Sequence, residues 1–168
     1  MNDAESIVEL IPRLRRYARA LTGDRTMADD LVQDTLERAW SKLHLYRRGT
    51  DLRAWLFTVM HNVYVNQRRA ARPSTPLDDD MPELAQPARE SDMLVLRDLD
   101  AAIRRLPPDQ REVLLLVALE DMSYSEAARA LEVPIGTVMS RLARAREKLR
   151  AMLSGLPPGG GAQLKIVK

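Results

Sequence analysis

Two small all-α domains joined by an acidic, proline-rich linker are expected from three features of the 168 residues. Apolar side chains recur at three- and four-residue spacing on both sides of the chain's centre, and no segment alternates as a strand does. Residues 73–92, PSTPLDDDMPELAQPARESD, hold four prolines and six acids with no lasting period. Proline removes an amide donor and turns its predecessor away from the α region, which disfavours a packed helix there. Charge divides along the same lines. Residues 1–72 carry 13 basic and 9 acidic side chains, residues 73–96 carry one and six, and residues 97–168 carry 12 and 9. The net charge of +2 is therefore a cancellation between two basic blocks and an acidic bridge.

About twenty unpatterned residues exceed the usual loop inside a compact domain. The expected organisation is a domain at about 5–73, a flexible linker at 74–92, a second domain at about 93–153 and a frayed tail at 154–168.

In the first domain, Ile7, Leu10, Ile11, Leu14, Ala18 and Leu21 make an amphipathic helix that ends at Gly23. Leu31, Val32, Thr35, Leu36, Ala39, Trp40 and Leu43 form the face of a second helix, preceded by acids suited to a helix N-terminus. Tyr46-Arg47-Arg48-Gly49 reads as a loop, with Thr50 or Asp51 as N-cap of a third helix built on Leu52, Trp55, Leu56, Val59, Val63 and Asn66. The second domain opens with Met93, Leu96, Leu99, Ala102, Ile103 and Leu106. Pro107-Pro108 then breaks that helix and starts one with Val113, Leu116 and Val117 inside.

After Met122, Ser123 and Glu126 fit a capping box, followed by a short helix to Leu131 packed through Ala127, Ala128 and Leu131. Glu132-Val133-Pro134 is a tight turn. A longer helix from Ile135 to about Met152 is expected to bury Ile135, Val138, Leu142, Ala145 and Leu149. Short helix, turn and longer helix is helix-turn-helix spacing. Arg141, Arg144, Arg146, Lys148 and Arg150 against Glu147 make the second helix strongly basic. Thr137, Ser140, Arg141 and Arg144 sit where a recognition helix meets phosphates and base edges. A charge run alone is more often a solvated bundle face; the box, turn and basic helix together favour DNA.

Six of the seven aromatics precede residue 72, and Tyr46, Trp55, Phe57 and Tyr64 lie among Arg47, Arg48, Arg53, Arg68, Arg69 and Arg72. Aromatic faces beside a basic track suit single-stranded DNA. Trp40, Trp55 and Phe57 have spacing that points inward and are assigned to the core. Tyr46, and His61, Asn62 and Asn66 on a polar face, are the contact candidates.

Other chemistries find little support. There is no cysteine for a disulfide, thiolate site or nucleophile, and only His44 and His61 for imidazole ligation. Asp29, Asp30, Asp34 and Glu37 have no partner acid cluster to complete a magnesium site, so a protein-binding surface is the better reading. No apolar run approaches the roughly 20 residues of a membrane span, and the first residues do not resemble a signal peptide. A soluble, cytoplasmic protein with no cofactor, no membrane insertion and no catalytic activity is expected.

DDLVQDTLERAW at 29–40, GTDLRAWLFTVMHNVYVNQRR at 49–69 and LPPDQREVLLLVALEDMSYSEAARALEVPIGTVMSRLARAREKLR at 106–150 together resemble the bacterial extracytoplasmic-function sigma factors, small two-domain members of the sigma-70 family. The resemblance spans about residues 7–153. It implies a promoter-melting region 2, a linker, and a region 4 that reads the −35 element. By that resemblance Asp30, Gln33, Asp34 and Glu37 would grip core RNA polymerase (β and β′ subunits). Tyr46, Arg47, Arg48, Gly49 and Asn62 would capture a flipped −10 base, and Arg68 and Arg69 would follow the duplex upstream. Gly136, Thr137, Ser140, Arg141, Arg144, Arg146 and Lys148 fall on the −35 helix. Asp78, Asp79 and Asp80 would imitate nucleic acid in the polymerase cleft or merely tether. Met139 and Ala143 depart from the family, standing where many relatives carry a basic or aromatic residue. An anti-sigma factor is implied as a partner.

Three other classes compete. A one-component helix-turn-helix regulator predicts tight duplex binding without polymerase. A sigma-mimicking decoy predicts loss of the basic recognition helix, which this chain keeps. An enzyme lacks any nucleophile–base pair. Isolated DNA binding is expected to be weak, with much of the positive charge masked until polymerase separates the domains.

Overall fold

A computed structural model describes residues 2–71 and 91–154. Most of the linker, including Asp78, Asp79 and Asp80, and all of the tail after Ser154 lie outside the described residues.

Among the described residues seven α-helices and one 3-10 turn appear: α1 (Asp3–Thr22), α2 (Arg25–Lys42), the turn Leu43–Leu45, α3 (Leu52–Ala70), α4 (Ser91–Arg105), α5 (Pro108–Ala118), α6 (Tyr124–Leu131) and α7 (Ile135–Ser154). The helix starts follow capping chemistry. Asn2 caps α1, Asp24 accepts from the Thr26 and Met27 amides at 2.7 and 3.2 Å, and Asp51 accepts from Ala54 at 3.3 Å. Pro108 occupies the first turn of α5, where its missing amide is not needed. Pro12 stands inside α1, yet it is exposed and so is Val8, whose carbonyl it leaves unbonded, so water can satisfy that group. Gly23 closes α1 at φ +69°, and a Cβ there would sit 3.0 Å from the Arg104 side chain.

Helices α1, α2 and α3 pack together, and α4 to α7 form the second bundle around α7. The bundles are docked on one another: α6 lies against α3, and α5 and α4 against α1. Buried apolar residues run as one cluster from Ile7, Leu14 and Leu56 through Leu106 and Leu116 to Leu142 and Leu149. Tyr17 and Phe57 meet edge to face at 5.0 Å inside it.

Three expected core positions differ. Trp40 is 47% exposed, because Ala39 takes the inward position of that turn and the indole falls at the edge of the stripe. Ile135 is 50% exposed, since it begins α7 and has no preceding helical turn to cover. Leu96, on the first half of α4, is also exposed.

Candidate nucleic-acid and polymerase interface

The α2 face opposite its buried stripe of Ala28, Leu31, Val32, Thr35 and Ala39 carries Asp30, Gln33, Asp34 and Glu37, all exposed. On one side a groove runs between this ridge and Arg15, Arg19 and Arg25, with Val32, Leu36 and Trp40 as its apolar lining. On the other side the Gln67 amide donates to Asp34 at 2.7 Å, which ties the acidic ridge to α3 beside Asn66.

The loop before α3 is self-supporting. The Tyr46 hydroxyl donates to the Thr50 carbonyl at 2.6 Å, and its ring lies 5.3 Å from Trp55. The Thr50 amide and hydroxyl both donate to the Arg47 carbonyl, and Gly49 takes φ +91° in open space. Arg47 and Arg48 extend from it, Arg48 pairing with Asp3 at 3.1 Å while 84% exposed. The Tyr46 ring is half-buried beside Trp55, whereas Arg47 and Arg48 are exposed. Further along α3, Asn62 is half-buried, Asn66, Arg68 and Arg69 are exposed, and Arg68 covers the Tyr64 ring at 5.6 Å.

His61 is different. Its Nδ1 lies 2.6 Å from Oε1 of Glu112 on α5, and its side chain is 16% exposed. It faces the second bundle rather than open solvent. Arg53 on the same helix donates to the Glu120 carbonyl at 2.7 Å and pairs with Glu126 at 3.7 Å. The Glu120 carboxylate is fully buried between Arg13 at 3.1 Å and Arg16 at 3.4 Å. Arg111 reaches back to the Leu21 carbonyl at 2.8 Å. Burial pushes the Tyr17 phenol well above its ordinary 10.0, with the Glu112 and Glu120 carboxylates adding to the effect, so the hydroxyl stays protonated within this interface.

These interdomain partners were not singled out by sequence reasoning. The signal available was local: Glu112 and Glu120 flank the apolar run VLLLVAL, where an acid is either a solvated edge or a buried charge with a partner.

The helix-turn-helix follows the expected geometry. Ser123 and Glu126 form a reciprocal capping box at 3.1 and 2.8 Å. Glu132 takes a left-handed conformation at φ 55°, which turns the chain toward α7. Val138, Leu142, Ala145 and Leu149 are buried, which turns Gly136, Ser140, Arg144 and Lys148 outward. Thr137, Arg141 and Arg146 are only half-exposed, and Arg141 lies 3.6 Å from Asp109. Among the described residues no group of His, Asp or Glu is arranged to hold a metal, and no helix is long and apolar enough to cross a membrane.

Comparison with known proteins identifies the two domains that carry these surfaces. The family model described as the Sigma2 domain of PhyR matches residues 7–61, and that of Sigma-70, region 4 matches residues 96–149. The ECF RNA polymerase sigma factor EcfG of Rhodopseudomonas palustris is 37% identical over 151 residues, covering 89% of this chain and 83% of the relative. Among solved structures, the sigma factor RpoE in complex with the anti-sigma factor NepR from Bartonella quintana superposes with a TM-score of 0.72 at 32% identity, over 90% of this chain and 96% of that one. The PhyRSL–NepR complex from Sphingomonas sp. Fr1 gives 0.66 at 27% identity, over 90% of this chain and 88% of that one. With both regions present in order and a relative matched over most of its length, the chain belongs to the extracytoplasmic-function RNA polymerase sigma factors.

Proposed function

We propose that this protein binds core RNA polymerase and directs it to promoters with paired −35 and −10 elements, aiding strand opening, and that it has no catalytic activity of its own. The observation that carries the reading is the outward face of α7, where Gly136, Ser140, Arg144 and Lys148 stand exposed in a helix-turn-helix whose first helix is closed by a capping box.

The division of labour follows from the chemistry of each surface. The ridge of Asp30, Gln33, Asp34 and Glu37 offers negative charge and an amide to the polymerase. Arg47 and Arg48, with Asn62 and Asn66 beyond them, offer charge and edge-reading groups to a melted strand. Extruding a base costs a few kcal/mol, and stacking returns about 1–3 kcal/mol per base. Tyr46 contributes that stacking once its ring leaves Trp55 or exposes its free face.

The docked arrangement serves as the resting form. Arg53 and His61 are held by α5 and α6, so the inward face of α3 becomes available only when the bundles part. Polymerase, holding α2 and the −35 helix at separate places, supplies the separation. An anti-sigma factor that clasps the docked pair would hold the protein in reserve, and the likeness to the RpoE–NepR complex supports that control. A cytoplasmic location accords with these partners.

A decoy reading draws on the likeness to PhyRSL, which also binds NepR. The two readings part at α7: a decoy has no use for exposed Ser140 and Arg144. Run-off transcription with purified core polymerase and genomic promoter fragments tests the choice. Discrete transcripts that depend on this protein are expected; no transcript and no binding to core would overturn the sigma-factor role.

A further inference from the structure

Helix α7 has two unlike flanks. Ile135, Met139 and Ala143 are spaced four residues apart and so form one row along the helix, all exposed, with Ile135 at 50% and Met139 at 52%. Gly136, Ser140, Arg144 and Lys148 form the adjacent row, and Arg141 lies beyond it. An exposed apolar row on the most basic helix of a chain is costly in water, and it calls for a partner that is apolar at one spot and anionic around it.

Duplex DNA meets that description in its major groove. Phosphates line the groove, and among the base edges the thymine C5-methyl is the apolar group. The row starts at the N-terminal end of α7, the end a recognition helix inserts first. Gly136, between Ile135 and Thr137, has nothing within 4 Å of where a Cβ would stand, so the helix can approach a base edge closely there. Ser140 donates its hydroxyl to the Thr137 carbonyl at 3.1 Å, which leaves that oxygen's lone pairs for a base amino group beside the apolar row. Resting on the promoter-reading role above, we propose that Met139, with Ile135 beside it, selects the −35 element by packing on thymine methyl groups.

The test uses the full-length protein bound to its core polymerase. The preferred −35 element is first selected from a randomised duplex library, and each thymine within it, on either strand, is then replaced by deoxyuridine, which removes only the methyl. At one or two positions the replacement should weaken binding about fourfold, the value of one buried methyl group. The Met139→Ala protein should bind the thymine and deoxyuridine forms alike at that position. Two results would overturn the inference while leaving promoter recognition intact: a selected element without thymine, or deoxyuridine forms bound as tightly as the parent at every position. Equal sensitivity of the wild-type and Met139→Ala proteins would also remove Met139 from the contact. Selection of no element at all would overturn the promoter-reading role itself.

Discussion

The inward face of α3 and the outward face of α7 both present arginine, yet the two stand in opposite states. On α3, Arg53 and His61 are engaged with Glu120, Glu126 and Glu112 of the other bundle. On α7, Ser140, Arg144 and Lys148 stand exposed. A basic side chain on a DNA-binding helix therefore reports on function only together with its surroundings. Under the proposed function the α3 face would work only after a rearrangement, whereas the α7 face is already exposed.

The largest expected effect comes from breaking the buried end of that contrast. In the Arg13→Ala/Arg16→Ala protein the Glu120 carboxylate would be left buried without cations, a cost of about 3–5 kcal/mol while the bundles stay docked. Separation lets Glu120 regain water, so the loss is limited to the docking free energy and the bundles should part. Small-angle scattering should show an extended molecule, with each bundle keeping its helicity by circular dichroism. Arg144→Ala probes the opposite face. It should weaken −35 binding of the polymerase-bound protein by about 1–3 kcal/mol without changing the scattering of the free chain.

Alkali should weaken the fold through the phenols of Tyr17 and Tyr64, both held above their ordinary 10.0 chiefly by burial. Tyr17 has a raised folded-state pKa, so its contribution to stability is present below its ordinary 10.0 and is lost as pH rises above that value. Denaturant midpoints should fall above about pH 10, and Tyr17→Phe should flatten that fall. The smallest effect is local to the helix-turn-helix. Glu132→Gly relieves a left-handed backbone and should stabilise the second bundle by about 0.5–1 kcal/mol, after the greater entropy of unfolded glycine is subtracted, as read by denaturant unfolding.

What the amino-acid sequence made legible follows the range of the interactions involved. The capping box of Ser123 and Glu126, the Gly23 stop and the Pro107-Pro108 break are decided within four residues, and all stand where the residue types put them. Trp40 and Ile135 were misassigned because period alone cannot tell the edge of a buried stripe from its centre, or a first turn from a middle one. The Glu120 and Glu112 contacts join residues 51 to 107 positions apart, and periodicity carries no information about such pairs. Of the candidate site residues, the α2 ridge and the Arg144 face were readable as exposed polar positions. The docking of His61 was not, because its partner belongs to a different bundle.

The central claim, that the docked chain is the resting form and opens on polymerase, is tested most directly by the distance between the bundles. The chain has no native cysteine, so one introduced on exposed Ala70 of α3 and one on exposed Glu147 of α7 can be labelled for energy transfer. High transfer in the free protein and its loss on adding core polymerase is the predicted result. A polymerase-bound, transcriptionally active protein with the free protein's transfer efficiency would contradict the account.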